Sequence, residues 1–279
     1  MAETEDGSLR RRAALAACLT LMFAVRGSAQ QPTFTPAPAA PEFLSHYDFR
    51  LSVDSLMPPK NTPEELADER FSWNTRFGGS FDVLDLVFAR AGATIDFEAV
   101  EGSEYRPFDP NQGNYILEGF VLARVGEHTE VGTIFHHVSR HLSDRPKREA
   151  IAYNELGARA LRRLEFGSTT VDVDLEGGWA VQHSFVDYTW LGEANVLVRR
   201  AIKPRFGIFG HASGKFFGVS GDPIKRSTQT GGRVEGGIRV SGRGGVLELY
   251  IGYENRVDAY PLDRVPQQWG LAGLRLLSR

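Results

Sequence analysis

Val171-Asp172-Val173-Asp174-Leu175-Glu176 alternates aliphatic and acidic side chains without interruption. Side chains on a β-strand point alternately to its two faces. The stretch therefore reads as a strand with Val171, Val173, Leu175, Gly177 and Trp179 on a greasy face. Asp172, Asp174, Glu176 and Gln182 fall on the opposite, polar face. A soluble strand hides its apolar face and wets its polar one, so the question is which face meets solvent here.

The same design recurs along the chain. Tyr47, Phe49, Leu51 and Val53 oppose Asp48, Arg50, Ser52 and Asp54; Ala91, Ala93, Ile95 and Phe97 oppose Arg90, Thr94, Asp96 and Glu98. Trp73, Phe77 and Phe81 oppose Asn74, Arg76 and Ser80, and Leu247, Leu249, Ile251 and Tyr253 oppose Glu248 and Glu254. The pattern predicts twelve strands, near 46–56, 70–82, 87–100, 113–125, 129–139, 150–163, 169–182, 188–200, 205–218, 230–241, 244–256 and 268–278. Short connections alternate with mostly longer ones rich in Pro, Asp, Asn and Gly, as periplasmic turns and extracellular loops do in transmembrane barrels. Uniform strands of about 10 residues favour this over a β-sandwich, whose polar faces look outward from one shared core. The predicted fold is all-β, a closed antiparallel up-and-down transmembrane β-barrel in the bacterial outer membrane.

The N-terminus fits that destination. Arg10, Arg11 and Arg12 precede an apolar run from Ala13 to Val25, too short to span a bilayer, and Gly27-Ser28-Ala29 supplies small residues for cleavage. Residues 1–29 read as a signal peptide, 30–45 as a flexible periplasmic leader rich in Pro and Ala, and 46–279 as the barrel. Leu15-Ala16-Ala17-Cys18 resembles a lipoprotein cleavage box, but too few apolar residues precede it. Cys18 is the only cysteine, so cleavage after Ala29 leaves no disulfide or thiolate metal site.

The 279 residues carry 32 basic and 35 acidic side chains, a balance without an electrostatic footprint for nucleic acid. A charge on the lipid face at mid-bilayer costs about 2–4 kcal/mol, so the charged faces belong inside. Arg50, Arg76, Arg90, Arg159, Arg199, Arg205, Lys215, Arg233 and Arg239 are expected to meet carboxylates such as Asp96, Glu98, Glu118, Glu155, Asp172, Asp174, Glu176, Glu193, Glu235 and Glu248 there. Such a lumen is filled with ion pairs, not a wide pore.

One constellation breaks the rule that the lipid face is greasy. Val131, Thr133 and Phe135 share a face with His137 and Ser139, while Glu130 and His136 look inward. On the next strand Ala152, Asn154, Leu156, Ala158 and Ala160 face outward; Tyr153, Glu155 and Arg159 face inward. In an antiparallel hairpin, same-face residues meet across the pair. A serine two positions from a histidine, with an amide able to orient the ring, is what nucleophilic acyl transfer requires. Because His136 and His137 point to opposite faces, joint metal chelation with His141 is disfavoured. Asp109-Pro110-Asn111-Gln112-Gly113 and Gly221-Asp222-Pro223 read as turns, not ion loops.

On residues 134–160 and the strand count, the chain resembles the outer-membrane phospholipase A family, twelve-stranded barrels with an exterior His-Ser-Asn triad. The resemblance implies His137 as base, Ser139 as nucleophile and Asn154 as the orienting amide, with Tyr153 before it. It also implies that Ser143 and Asp144 contribute to binding calcium at a homodimer interface. Arg140-His141 stands where the family has Asn-Gly, and the loop before Asn154 is longer. A second comparison is the lipid A deacylase barrel, for which Glu155 would be the acid, but alternation turns Glu155 inward. The competing class is a non-enzymatic structural or narrow transport barrel. In that case Arg140, His141, Arg145, Lys147 and Arg148 form a basic loop for outer-membrane lipid phosphates.

Overall fold

The computed structural model describes residues 34–59, 68–143, 150–222 and 224–278. The signal-peptide reading of 1–29 and Asp144 lie outside the described residues. A two-residue strand β1 (Glu42–Phe43) precedes twelve long ones: β2 (Tyr47–Met57), β3 (Trp73–Asp85), β4 (Ala89–Gly102), β5 (Asp109–Gly126), β6 (Thr129–Leu142) and β7 (Ile151–Phe166). β8 (Thr169–Ser184), β9 (Tyr188–Lys203), β10 (Phe206–Val219), β11 (Gln229–Ser241), β12 (Gly245–Tyr260) and β13 (Val265–Ser278) complete the set. Each of β2 to β13 pairs antiparallel with its sequence neighbours, and β13 pairs with β2 from Gly270↔Met57 to Leu277↔Arg50. The twelve long strands thus close a barrel in which each is paired on both sides, as a hydrocarbon surround demands.

Burial follows the alternation. Leu175, Trp179, Ile208, Leu249, Ile251 and Leu274 are exposed on the outside, whereas Arg90, Glu130, Arg159 and Glu248 are fully buried inside. An apolar exterior around a charged interior inverts a soluble protein, and it identifies an integral outer-membrane barrel in contact with lipid. Arg205 is the exception among the expected lumen residues: it lies exposed in the two-residue turn Pro204-Arg205, because β9 ends at Lys203 and β10 begins at Phe206.

Ion pairs cross the lumen from wall to wall. One chain of alternating charges runs Arg239–Glu248–Arg275–Glu235–Arg233–Glu254–Arg256–Glu98–Arg76, crossing from β11 and β12 to β4 and β3. Arg233 also binds Asp54 on β2 through a two-pronged contact at 2.8 and 2.9 Å. Arg159 is shared among Glu118, Asp174 and Glu176. Nearer the short turns, Arg90 joins Asp82 and Glu130, each at 2.8 Å. Cavities of about 140 Å³ toward the long loops and about 340 Å³ toward the short turns remain between these groups.

Both ends are dressed. At the short-turn end Phe34 is buried, its ring 5.5 Å from the Arg163 guanidinium and 5.8 Å from the His128 ring. Residues 42 and 43 then pair with Asp85 and Leu84 of β3. At the other end Arg226 reaches Asp187 and Asp258, and the Tyr188 hydroxyl donates to Asp258 at 2.7 Å. Phe185, Asp258 and Arg264, all part of this closure, have φ values of 65°, 46° and 53°, a region L-residues rarely occupy. Strands here run further than the pattern suggested. Asp109 to Gly113 belong to β5, where Asn111 and Gln112 turn their amides onto the Arg70 and Ala259 carbonyls and so hold the strand at the mouth.

Candidate functional site

β6 and β7 pair in the register His137↔Asn154 and Ser139↔Ala152. That register follows from the alternation itself, since Phe135 and Leu156 must meet lipid and His136 and Glu155 the lumen. Phe135 and Leu156 are indeed about half exposed, at 47% and 53%, while His136 and Glu155 are buried. His137, Ser139 and Asn154 thus share the outer face.

The His137 and Asn154 side chains touch: Nδ1 lies 2.5 Å from Oδ1. An amide oxygen only accepts, so with Oδ1 facing the ring Nδ1 carries a proton, and in the neutral ring Nε2 then keeps a lone pair. This is the tautomer a general base needs. Ser139 follows on the same strand, its Cα about 7 Å along from that of His137. Among the described residues the Ser139 hydroxyl forms no hydrogen bond. Catalytic contacts of this kind often tighten only around substrate.

Asn154 has a second partner that alternation alone does not find. Its Nδ2 donates to Gln182 Oε1 at 2.9 Å. Strict alternation along β8 sends Gln182 inward with Asp172 and Asp174. A bulge intervenes: Glu155 pairs with Ala180 but Asn154 pairs with Gln182, so Val181 is the extra residue. A bulge of this type shifts the register by one and reverses the faces beyond it. Gln182 is exposed beside Asn154, not in the lumen.

Around the trio the surface is aromatic and apolar. Phe77, Phe97 and Tyr115 stand side by side on β3, β4 and β5 with centroids 5.1 Å apart, and the Tyr115 ring meets His141 edge-on at 5.2 Å. Tyr115 pairs directly with Ser139. Arg140 faces the other way and donates into the lumen mouth, to the Asp258 carbonyl at 2.6 Å and to Gln112 at 2.8 Å. It is therefore no part of an outward basic loop. Glu155 is buried inside, away from Ser139.

Ser143 is a turn residue whose N–H donates to the Asn111 carbonyl at 3.1 Å. Among the described residues no three His, Cys, Asp or Glu side chains converge as a metal site. Asp144, the other residue of the expected calcium pair, lies outside the described residues, and no chemical step below runs through that ion.

No protein-family model and no curated protein matches the chain. Among solved structures it is similar to the outer membrane phospholipase A from Escherichia coli, at 14% identity over 83% of this chain and 92% of that one, with a TM-score of 0.48. It is similar to the Salmonella typhi outer membrane phospholipase dimer with bound calcium at 15% identity, over 92% and 99%, also with a TM-score of 0.48. The translocator domain of the autotransporter NalP from Neisseria meningitidis matches at 13% identity over 97% of both chains, with a TM-score of 0.40.

Proposed function

We propose that this outer-membrane barrel is an interfacial acyl-ester hydrolase acting on phospholipid from its lipid-facing surface. The observation that carries the reading is the 2.5 Å contact between His137 Nδ1 and Asn154 Oδ1 on the outer wall, with Ser139 on the same face. Polar side chains among lipid-facing ones are expensive, and a base joined to an orienting amide, with a hydroxyl two residues along the same face, has a chemical use.

In this reading the acyl chains of a phospholipid lie along the apolar exterior, with the ester near Ser139. Ser139 Oγ attacks the acyl carbonyl while its proton passes to His137 Nε2. Asn154 Oδ1 holds Nδ1–H and so fixes the ring and steadies the imidazolium. The tetrahedral intermediate collapses, the C–O bond to the alcohol breaks, and His137 returns its proton to the leaving lysophospholipid. Water then attacks the acyl-enzyme through the same base and frees the fatty acid and Ser139. The substrate is phospholipid that has strayed into the outer leaflet.

Hydrolysis of phospholipid in mixed micelles by refolded protein tests this, wild type against Ser139→Ala, each with and without added calcium. Acyl release that depends on Ser139 supports the hydrolase. Equal release from both proteins, or none under either condition, leaves the competing reading of a structural or narrow transport barrel, which the ion-pair-filled lumen also suits. The calcium arm, with cross-linking in detergent, asks separately whether this chain uses a cation and a second copy through Ser143 and Asp144.

A further inference from the structure

We infer that Gln182 is a positioning residue for the hydrolase site, fixing which way the Asn154 amide points and thereby which nitrogen of His137 carries the proton. The inference rests on the hydrolase reading for its catalytic consequence but has a readout independent of activity.

An asparagine amide can present either end to a neighbour. If Asn154 offered Nδ2 to His137, the ring would have to accept at Nδ1 and carry its proton on Nε2, and no lone pair would face the serine. The β6–β7 register brings the two side chains together but does not choose between these orientations. The second partner on β8 favours one of them. Gln182 Oε1 accepts from Asn154 Nδ2 at 2.9 Å, which leaves Oδ1 for His137 at 2.5 Å. The contact exists only because the bulge at Val181 moves Gln182 from the lumen face to the lipid face. A single extra residue therefore adds a third strand to a site that otherwise spans two. The two hydrogen bonds share Asn154, so the chain Gln182–Asn154–His137 acts as a unit.

The test compares three substitutions that differ in hydrogen-bonding sign. Gln182→Glu can only accept from Asn154, which enforces the productive orientation. Gln182→Leu does neither. Gln182→Lys can only donate, which favours the reversed amide. Each refolded protein is checked for barrel formation by heat-modifiable migration on gels. Phospholipid turnover is then measured alongside ¹⁵N NMR of the histidine ring nitrogens in micelles, His137→Gln serving to assign the signal.

The expected order is Glu near wild type, Leu lower in kcat by about tenfold with KM unchanged, the scale of one lost hydrogen bond, and Lys lowest. The His137 signal moves from the Nδ1–H form toward the Nε2–H form in the same order. In an Asn154→Ala background the Gln182 substitutions add nothing further. Folded Gln182→Leu and Gln182→Lys proteins with unchanged turnover and unchanged ring-nitrogen shifts overturn the positioning role while Ser139-dependent activity stands. A tautomer change without any Ser139-dependent turnover keeps the role and removes the hydrolase instead.

Discussion

The inner and outer walls of this barrel carry polar residues under opposite rules. Inside, charges of both signs are buried and shared: Arg159 meets three carboxylates and Arg233 meets Asp54, Glu235 and Glu254. Outside, near the end of β6 and the start of β7, the polar groups are few, and they form a line of two hydrogen bonds from Gln182 to His137. The lumen network joins opposite walls and bears on stability. The outer line joins three neighbouring strands and bears on chemistry. Removing a member should thus be structurally costly inside and structurally cheap outside.

The sharpest way to break that contrast is at the outer site. Ser139→Ala or His137→Ala should lower phospholipid turnover by about 10³-fold or more, while the unfolding free energy of the refolded barrel in urea stays within about 0.5 kcal/mol of wild type. A large stability loss with unchanged turnover would reverse the assignment of roles.

Inside, Arg159→Met strands Glu118, Asp174 and Glu176 around an empty centre. Equilibrium unfolding in detergent should report a loss of about 3–5 kcal/mol, with turnover per folded molecule preserved. Adding Asp174→Asn and Glu176→Gln should recover part of it, because the deficit is uncompensated charge. If Arg159→Met leaves stability untouched, the lumen pairs are solvated and the inner wall is no scaffold.

The membrane-facing rule itself is tested at Ile251, which is 72% exposed. Ile251→Arg should cost about 2–4 kcal/mol in bilayer-based unfolding, falling toward the interfaces. The neutral Ile251→Val should cost far less.

The smallest effect belongs to the clamp over the long-loop mouth. Burial alone would raise the Asp187 carboxyl, but hydrogen bonds and charge from Arg226 outweigh it and hold it below the ordinary carboxylate value. A depressed folded-state pKa contributes stability that is complete above the unfolded value near 4 and fades as pH falls through the folded one. Limited proteolysis of the loops should therefore be constant from neutral pH down to about 5 and quicken only in stronger acid. Asp187→Asn should cut at the acid-state rate at every pH.

Much of this molecule was legible without coordinates, and for one reason. Period-two alternation is local, so Val171 to Glu176 sort themselves by face whatever they pack against, and all twelve long strands follow from it. The same alternation put His137, Ser139 and Asn154 outside and Glu155 and Arg159 inside. The extended strand ends were not legible, because Asn111, Gln112 and Arg140 reach across the mouth to hold them. Arg205 was misplaced because a turn of two residues is shorter than the boundaries that alternation can set.

Gln182 marks the deeper limit. Nothing between Ala180 and His183 announces an extra residue; whether β8 bulges there depends on how its ladder meets β7 while Trp179 faces lipid and Glu155 the lumen. The chain's own order of greasy and charged side chains determined a barrel and which wall each residue joins. Only the closed sheet, in which each barrel strand is held on both sides, decided the pairings across the lumen and turned one glutamine outward onto Asn154.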